Sequence, residues 1–229
     1  MIVSHARRFI FLKTKKTAGT SMEIALSAIC GPEDVITPIP ERDEAERRRL
    51  GYRGPQNCGV GPGKYRSQDV LRLLLHREPL RFYNHTPALE IRRLLGGKVW
   101  DGYYRFCFDR NPWDKAISHY HWQGGDSRFA SVKEFLLSGR GQPYSNYHLY
   151  SIRGFPAVDK VYRYEEIEPA LADLSDRLGL DESLRLPEFR AKARSRGDGR
   201  HYREVLSAEE ADMIAVACAR EIRLLGYEF

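Results

Sequence analysis

The sequence is poor in long apolar runs, in paired cysteines and in metal-ligand spacings, and each shortage removes a class of protein. The longest purely apolar stretch is seven residues, 213–219, where a helix crossing a bilayer needs ~20, so no transmembrane segment is expected. The opening Met1-Ile2-Val3-Ser4-His5-Ala6-Arg7-Arg8, followed only by the four-residue apolar run Phe9-Ile10-Phe11-Leu12 before Lys13, lacks the apolar stretch of a secretory signal, and a cytoplasmic protein is expected. Cys30, Cys58, Cys107 and Cys218 form no C-x-x-C pair, which argues against a zinc site or a disulfide framework and for reduced, buried thiols. His119 and His121 stand two apart on a predicted helix and point to nearly opposite faces, a poor metal pair. No metal is expected. There is no internal repeat and no aromatic-rich RNA motif, so nucleic acid is not an expected partner.

What remains is a chain of 229 residues and 26.5 kDa, 42% hydrophobic and 30% charged, which reads as one soluble domain with a substantial core. Its formal charge of +6 suits nucleic acid, anionic lipid or phosphorylated small molecules and does not choose among them. Residues 8–13, 81–85, 103–108 and 159–164 read as buried strands running directly into helix starts. Strand then helix, repeated, predicts an α/β fold with a central parallel sheet flanked by helices. Met22, Ala25, Leu26 and Ile29 have helical spacing and stop at Gly31-Pro32. Thr86 can cap a second helix opening with Pro87, and Asn111 a third opening with Pro112. Two further helices are expected over 166–178 and 208–225. Residues 40–67, first charged and then glycine-rich, read as an insertion that is flexible in part.

Two stretches carry chemistry. The loop Lys16-Thr17-Ala18-Gly19-Thr20-Ser21 offers a helix N-terminus, hydroxyls, a small glycine and a lysine able to reach over an anion, as a phosphate or sulfate ester requires. It is not a Walker A loop, because Lys16 precedes Gly19 rather than following it; the alternative is a lysine-rich surface turn. The second is Phe106-Cys107-Phe108-Asp109-Arg110-Asn111-Pro112-Trp113-Asp114-Lys115-Ala116-Ile117-Ser118, in which Arg110 presents a planar fork of donors before a helix start. Spacing alone leaves Arg110 open to a salt bridge with Asp109 or Asp114, and Ser118 to a helix hydroxyl.

This second stretch, an Arg-Asn-Pro-aromatic-Asp-basic turn after a buried strand with a serine eight residues beyond the arginine, resembles the 3'-phosphate site of sulfotransferases. With the Lys-Thr-Ala-Gly-Thr-Ser loop it is similar to the carbohydrate sulfotransferase branch, the heparan sulfate and chondroitin type, in a soluble bacterial-like form with a P-loop-like fold. The resemblance implies 3'-phosphoadenosine 5'-phosphosulfate (PAPS) as co-substrate, released as adenosine 3',5'-bisphosphate. It places Lys16, Thr17, Ala18, Gly19, Thr20 and Ser21 on the 5'-phosphosulfate, and Arg110 and Ser118 on the 3'-phosphate. It makes His85, at the end of the second expected strand, the base that takes the acceptor's proton, with Lys16 as the electrostatic catalyst. It also suggests Arg194 and Arg196, in the basic segment 192–203, as nucleotide contacts, with Arg200 beside them. The implied acceptor is a hydroxyl-bearing glycan or glycosylated metabolite. Glu165 matches a family carboxylate but is equally explained by a helix dipole. Two other readings share the anion site: a nucleotide-dependent phosphoryl transferase, which needs magnesium, and a non-catalytic nucleotide-sensing or carbohydrate-binding module.

Overall fold

The computed structural model describes residues 1–139, 145–187 and 200–229. The chain opens with a tight hairpin, β1 (Ile2–Ser4) and β2 (Phe9–Phe11), followed by helix α1 (Gly19–Ser27) and strand β3 (Val35–Ile36). Helices α2 (Glu41–Arg49), α3 (Ser67–His76), α4 (Ala88–Leu95) and α5 (Gly97–Gly102) lead into β4 (Tyr104–Asp109) and α6 (Pro112–Trp122). Then come α7 (Val132–Leu137), α8 (Tyr147–Tyr150), a small hairpin of β5 (Ser151–Ile152) and β6 (Phe155–Pro156), β7 (Lys160–Arg163) and α9 (Ile167–Arg177). The chain closes with α10 (Tyr202–Val205), α11 (Ala208–Ala217) and α12 (Ala219–Leu225).

Five strands form the central sheet in the order β3-β1-β2-β4-β7. β2, β4 and β7 are parallel, as expected, but β1 pairs antiparallel with both β2 and β3. The sheet is therefore mixed. Four residues separate β1 from β2, enough for a hairpin and far too few for the crossover that parallel strands need.

Side chains alternate across the sheet, so the unbroken apolar runs in β2 and β4 serve two layers at once. Phe9, Phe11, Phe106 and Phe108 face a core shared with Met22 and Leu26 of α1 and with Leu171 and Leu174 of α9. Ile10, Leu12 and Cys107 face the other side, against Ile91 and Leu94 of α4, Trp100 of α5 and Tyr150. Each such side chain, fully buried, contributes roughly 1.5–3 kcal/mol. A third cluster sits beneath α6, where Trp113, Ile117 and Tyr120 meet α7, α11 and Tyr227.

The expected strand at 81–85 is not one. Phe82 N donates to Cys58 O at 2.9 Å, so the segment rests on the 58–60 stretch instead of joining the sheet. Thr86 N then donates to Tyr83 O at 3.1 Å, closing a turn with Asn84 and His85 at its centre. Thr86 does not cap α4, because its hydroxyl is spent on this turn, accepting from Tyr83 N and donating to Tyr83 O. The helix expected over 208–225 is broken at Cys218, whose φ of −111° and ψ of 20° leave the helical region. Residues 40–67 hold α2, a pairing of Gln56 with Ile36 and a short 3-10 turn at Pro62–Lys64.

Candidate active site

The site is built on the loop between β2 and α1. β2 ends on the sheet, with Leu12 N donating to Phe106 O at 2.9 Å, and the chain must then reverse into a helix whose nine residues are all buried. It does so through two left-handed residues, Lys16 (φ 62°) and Ala18 (φ 53°), a conformation that disfavours side chains by ~1–2 kcal/mol per residue. The loop is fixed from within. Thr14 donates to Phe108 O, and the Thr14 and Thr17 hydroxyls lie 2.8 Å apart. Gly19 is required by contact: a Cβ there would fall 2.8 Å from Lys13 Cγ. That lysine cannot swing away, since Lys13 Nζ is ion-paired with buried Glu23 and donates to Asn84 Oδ1 at 3.0 Å.

Among the described residues, no side chain caps α1. The N–H groups of a helix's first turn have no intrahelical acceptor, so the amides at Gly19, Thr20 and Ser21 form an uncapped positive end above a loop carrying Lys13, Lys15 and Lys16. The electrostatic effect of these lysines is visible in three histidines. Burial, followed by the charges of Lys16 and Lys15, pushes His119 down to about 4. Burial, then chiefly Lys15, lowers His148. His85 falls to about 4, mainly through burial; its bond to the Lys13 carbonyl works against the shift, and the charges of Lys13, the N-terminal amine and Lys15 add to it.

Behind the loop stands a buried polar platform. Asp109, at the end of β4 and wholly buried, accepts from Arg110 N at 2.8 Å, Lys115 Nζ at 2.9 Å, Asn146 Nδ2 at 3.0 Å and the Tyr150 hydroxyl at 3.0 Å. Burial works to lower the Lys115 pKa, but the Asp109 carboxylate, together with Cys218 and Glu221, outweighs it and the ammonium is held above its usual range. Asn146 in turn clamps the loop: its Oδ1 accepts from Lys15 N at 2.9 Å and its Nδ2 donates to Lys15 O at 3.0 Å. Four backbone segments are thereby locked around one carboxylate.

Arg110 leaves this platform toward the loop. Its Nη1 donates to Lys16 O at 3.3 Å, its Nε donates to Asp114 Oδ2 at 2.6 Å, and its guanidinium lies 4.8 Å from the Tyr164 ring centroid. The salt bridge to Asp114 is thus present, and so is direct contact with the Lys16 loop. Asn111 caps α6, accepting from Trp113 N and Asp114 N, with Pro112 in the first turn as expected. Asp114, Ser118 and Trp122 recur at four-residue spacing and so share one face of that helix. Lys16 Nζ lies 5.5 Å from the Trp122 ring centroid. Ser118, nearly buried, therefore sits on the face that borders the loop.

On the loop's other side, His85 Nδ1 donates to Lys13 O at 2.9 Å. A carbonyl only accepts, so the proton is on Nδ1 and the lone pair on Nε2. His85 lines a cleft of about 560 Å³ together with Lys15, Arg81, Tyr83, Asn84 and His148. One loop therefore touches His85 through the Lys13 carbonyl and Arg110 through the Lys16 carbonyl, and runs on into the uncapped end of α1.

Of the expected contacts, Lys16, Ala18, Gly19, Thr20, Ser21, Arg110 and Ser118 gather around this loop, and His85 adjoins it. Thr17 turns inward to Thr14 and is a structural hydroxyl. Glu165 accepts from Asn111 N at 2.7 Å and from the Tyr227 hydroxyl at 2.9 Å, tying α6 to the C-terminal segment. Arg194 and Arg196 lie outside the described residues. Sequence reasoning missed Asp109, Lys115 and Asn146 as the platform, and Lys15, Arg81 and His148 as cleft residues. Asp109 had left a signal: a carboxylate closing the unbroken apolar run Phe106-Cys107-Phe108 must find partners.

No family model matches the chain, and no solved structure matches it. An uncharacterized protein of Archaeoglobus fulgidus is 37% identical over 103 residues, covering 43% of this chain and 86% of that protein. The chain belongs to one family with that archaeal protein, whose description carries no activity.

Proposed function

We propose that the protein is a sulfotransferase moving the sulfuryl group of PAPS to a hydroxyl acceptor, a carbohydrate by the resemblance of its motifs. The observation that carries this reading is the double anchorage of the Lys16 loop, against Arg110 on one side and His85 on the other. A nucleotide with anions at both ends needs two cationic grips, and a group-transfer reaction needs a base beside one of them. The uncapped first turn of α1 with Lys16 supplies one grip, and Arg110 with Ser118 supplies the other.

PAPS contributes an activated sulfuryl group and a bisphosphate leaving group. The protein's part is to hold, orient and move a proton. His85 Nε2 takes the acceptor's hydroxyl proton as the new S–O bond forms and the S–O bond to the nucleotide breaks. The Lys13 carbonyl fixes the ring's tautomer and steadies the imidazolium. Lys16 and the α1 amides balance charge on the sulfuryl oxygens and the departing phosphate, a role worth roughly 3 kcal/mol for one preorganised donor. A histidine at about 4 is a weak base in the free protein. Burial is the main cause of the depression; an anion beside Lys13 and Lys15 offsets the smaller part that their charges add and raises the basicity of His85 when substrate is bound.

Calorimetric titration with adenosine 3',5'-bisphosphate against AMP tests this reading. Strong preference for the 3'-phosphorylated ligand is expected. Equal affinity for the two would remove Arg110 from a 3'-phosphate site and with it the assignment.

A further inference from the structure

The helix α3 is built inside out. None of its ten residues is buried, yet Val70, Leu71, Leu74 and Leu75 are 43%, 56%, 73% and 67% exposed. At 100° per residue these four side chains occupy one face, and Asp69, Arg72 and His76 occupy the opposite one, with Leu73, 37% exposed, beside Asp69. The polar face is the one turned to the protein: Asp69 pairs with Arg93 of α4 at 3.4 Å and is the least exposed residue of the helix. A helix packing by ordinary rules would bury its leucines and expose its aspartate.

We propose that α3 docks the protein on an anionic lipid bilayer, leucine face inserted at the headgroup layer. Charge selects this occupant. Residues 61–81 carry five basic side chains and two acidic ones. Both acids are spent within the fold, Asp69 on Arg93 and Glu78 on Arg72, whose Nε donates at 2.8 Å. Lys64 and Arg66 at one end, with Arg77 and Arg81 at the other, flank the leucines and are exposed. An apolar face bordered by lysine and arginine is the pattern of a helix lying in the plane of an anionic membrane. A second copy would set the same net-positive segment against itself. Arg81, which flanks the leucines, also lines the His85 cleft. The inference stands whether or not the cleft transfers sulfuryl groups.

The test is co-sedimentation of the full chain with vesicles of phosphatidylcholine and phosphatidylglycerol in equal amounts, against phosphatidylcholine alone, comparing wild type with L71S/L74S. Wild type should pellet with the anionic vesicles, and increasing salt should release it. The variant, with thermal unfolding unchanged because both leucines face solvent, should bind at least roughly tenfold more weakly. Failure of the wild type to pellet, or equal binding by the variant, overturns the proposal. A dimer in sedimentation velocity that the variant dissolves, with no vesicle binding, also overturns it and assigns the face to a second copy.

Discussion

Helices α1 and α3 solve opposite halves of the same problem. α1 buries all nine residues and leaves its polar N-terminus uncapped, whereas α3 buries none and has the Asp69 carboxylate of its first turn folded back to accept from Arg66 N at 2.8 Å. The unmet need of α1 is for an anion, and that of α3 is for apolar cover. In both places the fold is locally incomplete, and each shortfall names the chemistry of what would complete it. The difference lies in support: α1 rests on a dense buried network around Asp109, while α3 is tied down by few contacts.

The α1 side should accordingly be brittle and the α3 side forgiving. Asp109→Ala strips the carboxylate from buried Lys115, Asn146 and Tyr150 and should destabilise the protein by ~3–5 kcal/mol in denaturant unfolding. L71S/L74S should stay within ~0.5 kcal/mol of wild type per site. Equal losses would erase the distinction between the two regions.

A sharper cut within the α1 side separates binding from chemistry. His85→Ala should lower turnover by ~10²–10⁴-fold while calorimetry still records bisphosphate binding, because His85 adjoins the loop through the Lys13 carbonyl and not through the α1 amides. Unchanged turnover would remove His85 from the mechanism.

Acid should also act on this side first. His85 and His119 titrate at about 4 in the folded chain against an ordinary 6.5, so between those values the unfolded chain binds more protons. Stability contributed by keeping these rings neutral is intact above about 6.5 and falls as pH drops toward 4. Thermal unfolding at pH 7 and pH 5 should show a decline that H85Q reduces; a flat profile would mean the rings are not held neutral by burial and lysines.

The smallest effect expected is also the most local. Ala18 and Arg77, left-handed at φ 53° and 55°, stand at the start of α1 and the end of α3. Glycine at either should shift the midpoint upward by no more than ~1 kcal/mol equivalent. A large loss at position 18 alone would show that the alanine methyl has a packing role at the anion site.

What the sequence disclosed, and what it withheld, follows the range of the interactions. The unit of β2, loop and α1 was legible because apolar strand, left-handed loop and helical spacing are contiguous, and so was the Asn111-Pro112 start of α6. The antiparallel β1 went unread because three residues carry little pattern. The 81–85 segment was misread because Leu80 and Phe82 have strand-like apolar character, yet Phe82 finds its partner at Cys58, which no local pattern encodes. His85 was found for its chemistry, although it sits in a turn and not at a strand end. The platform was hidden for the same reason as the 81–85 pairing: Asp109 and Asn146 are 37 residues apart, and nothing near either residue announces the other. The leucines of α3 have plain helical periodicity, but periodicity cannot say which face is turned inward; that depended on Asp69 meeting Arg93.

The most direct measurement is a crystal of the protein soaked with adenosine 3',5'-bisphosphate. The account predicts the 5'-phosphate on the α1 amides beside Lys16, the 3'-phosphate on the Arg110 guanidinium, and the 5' end turned toward the His85 cleft. Nucleotide density away from that loop, or spanning it with Arg110 still bound only to Asp114 and Lys16, would contradict it.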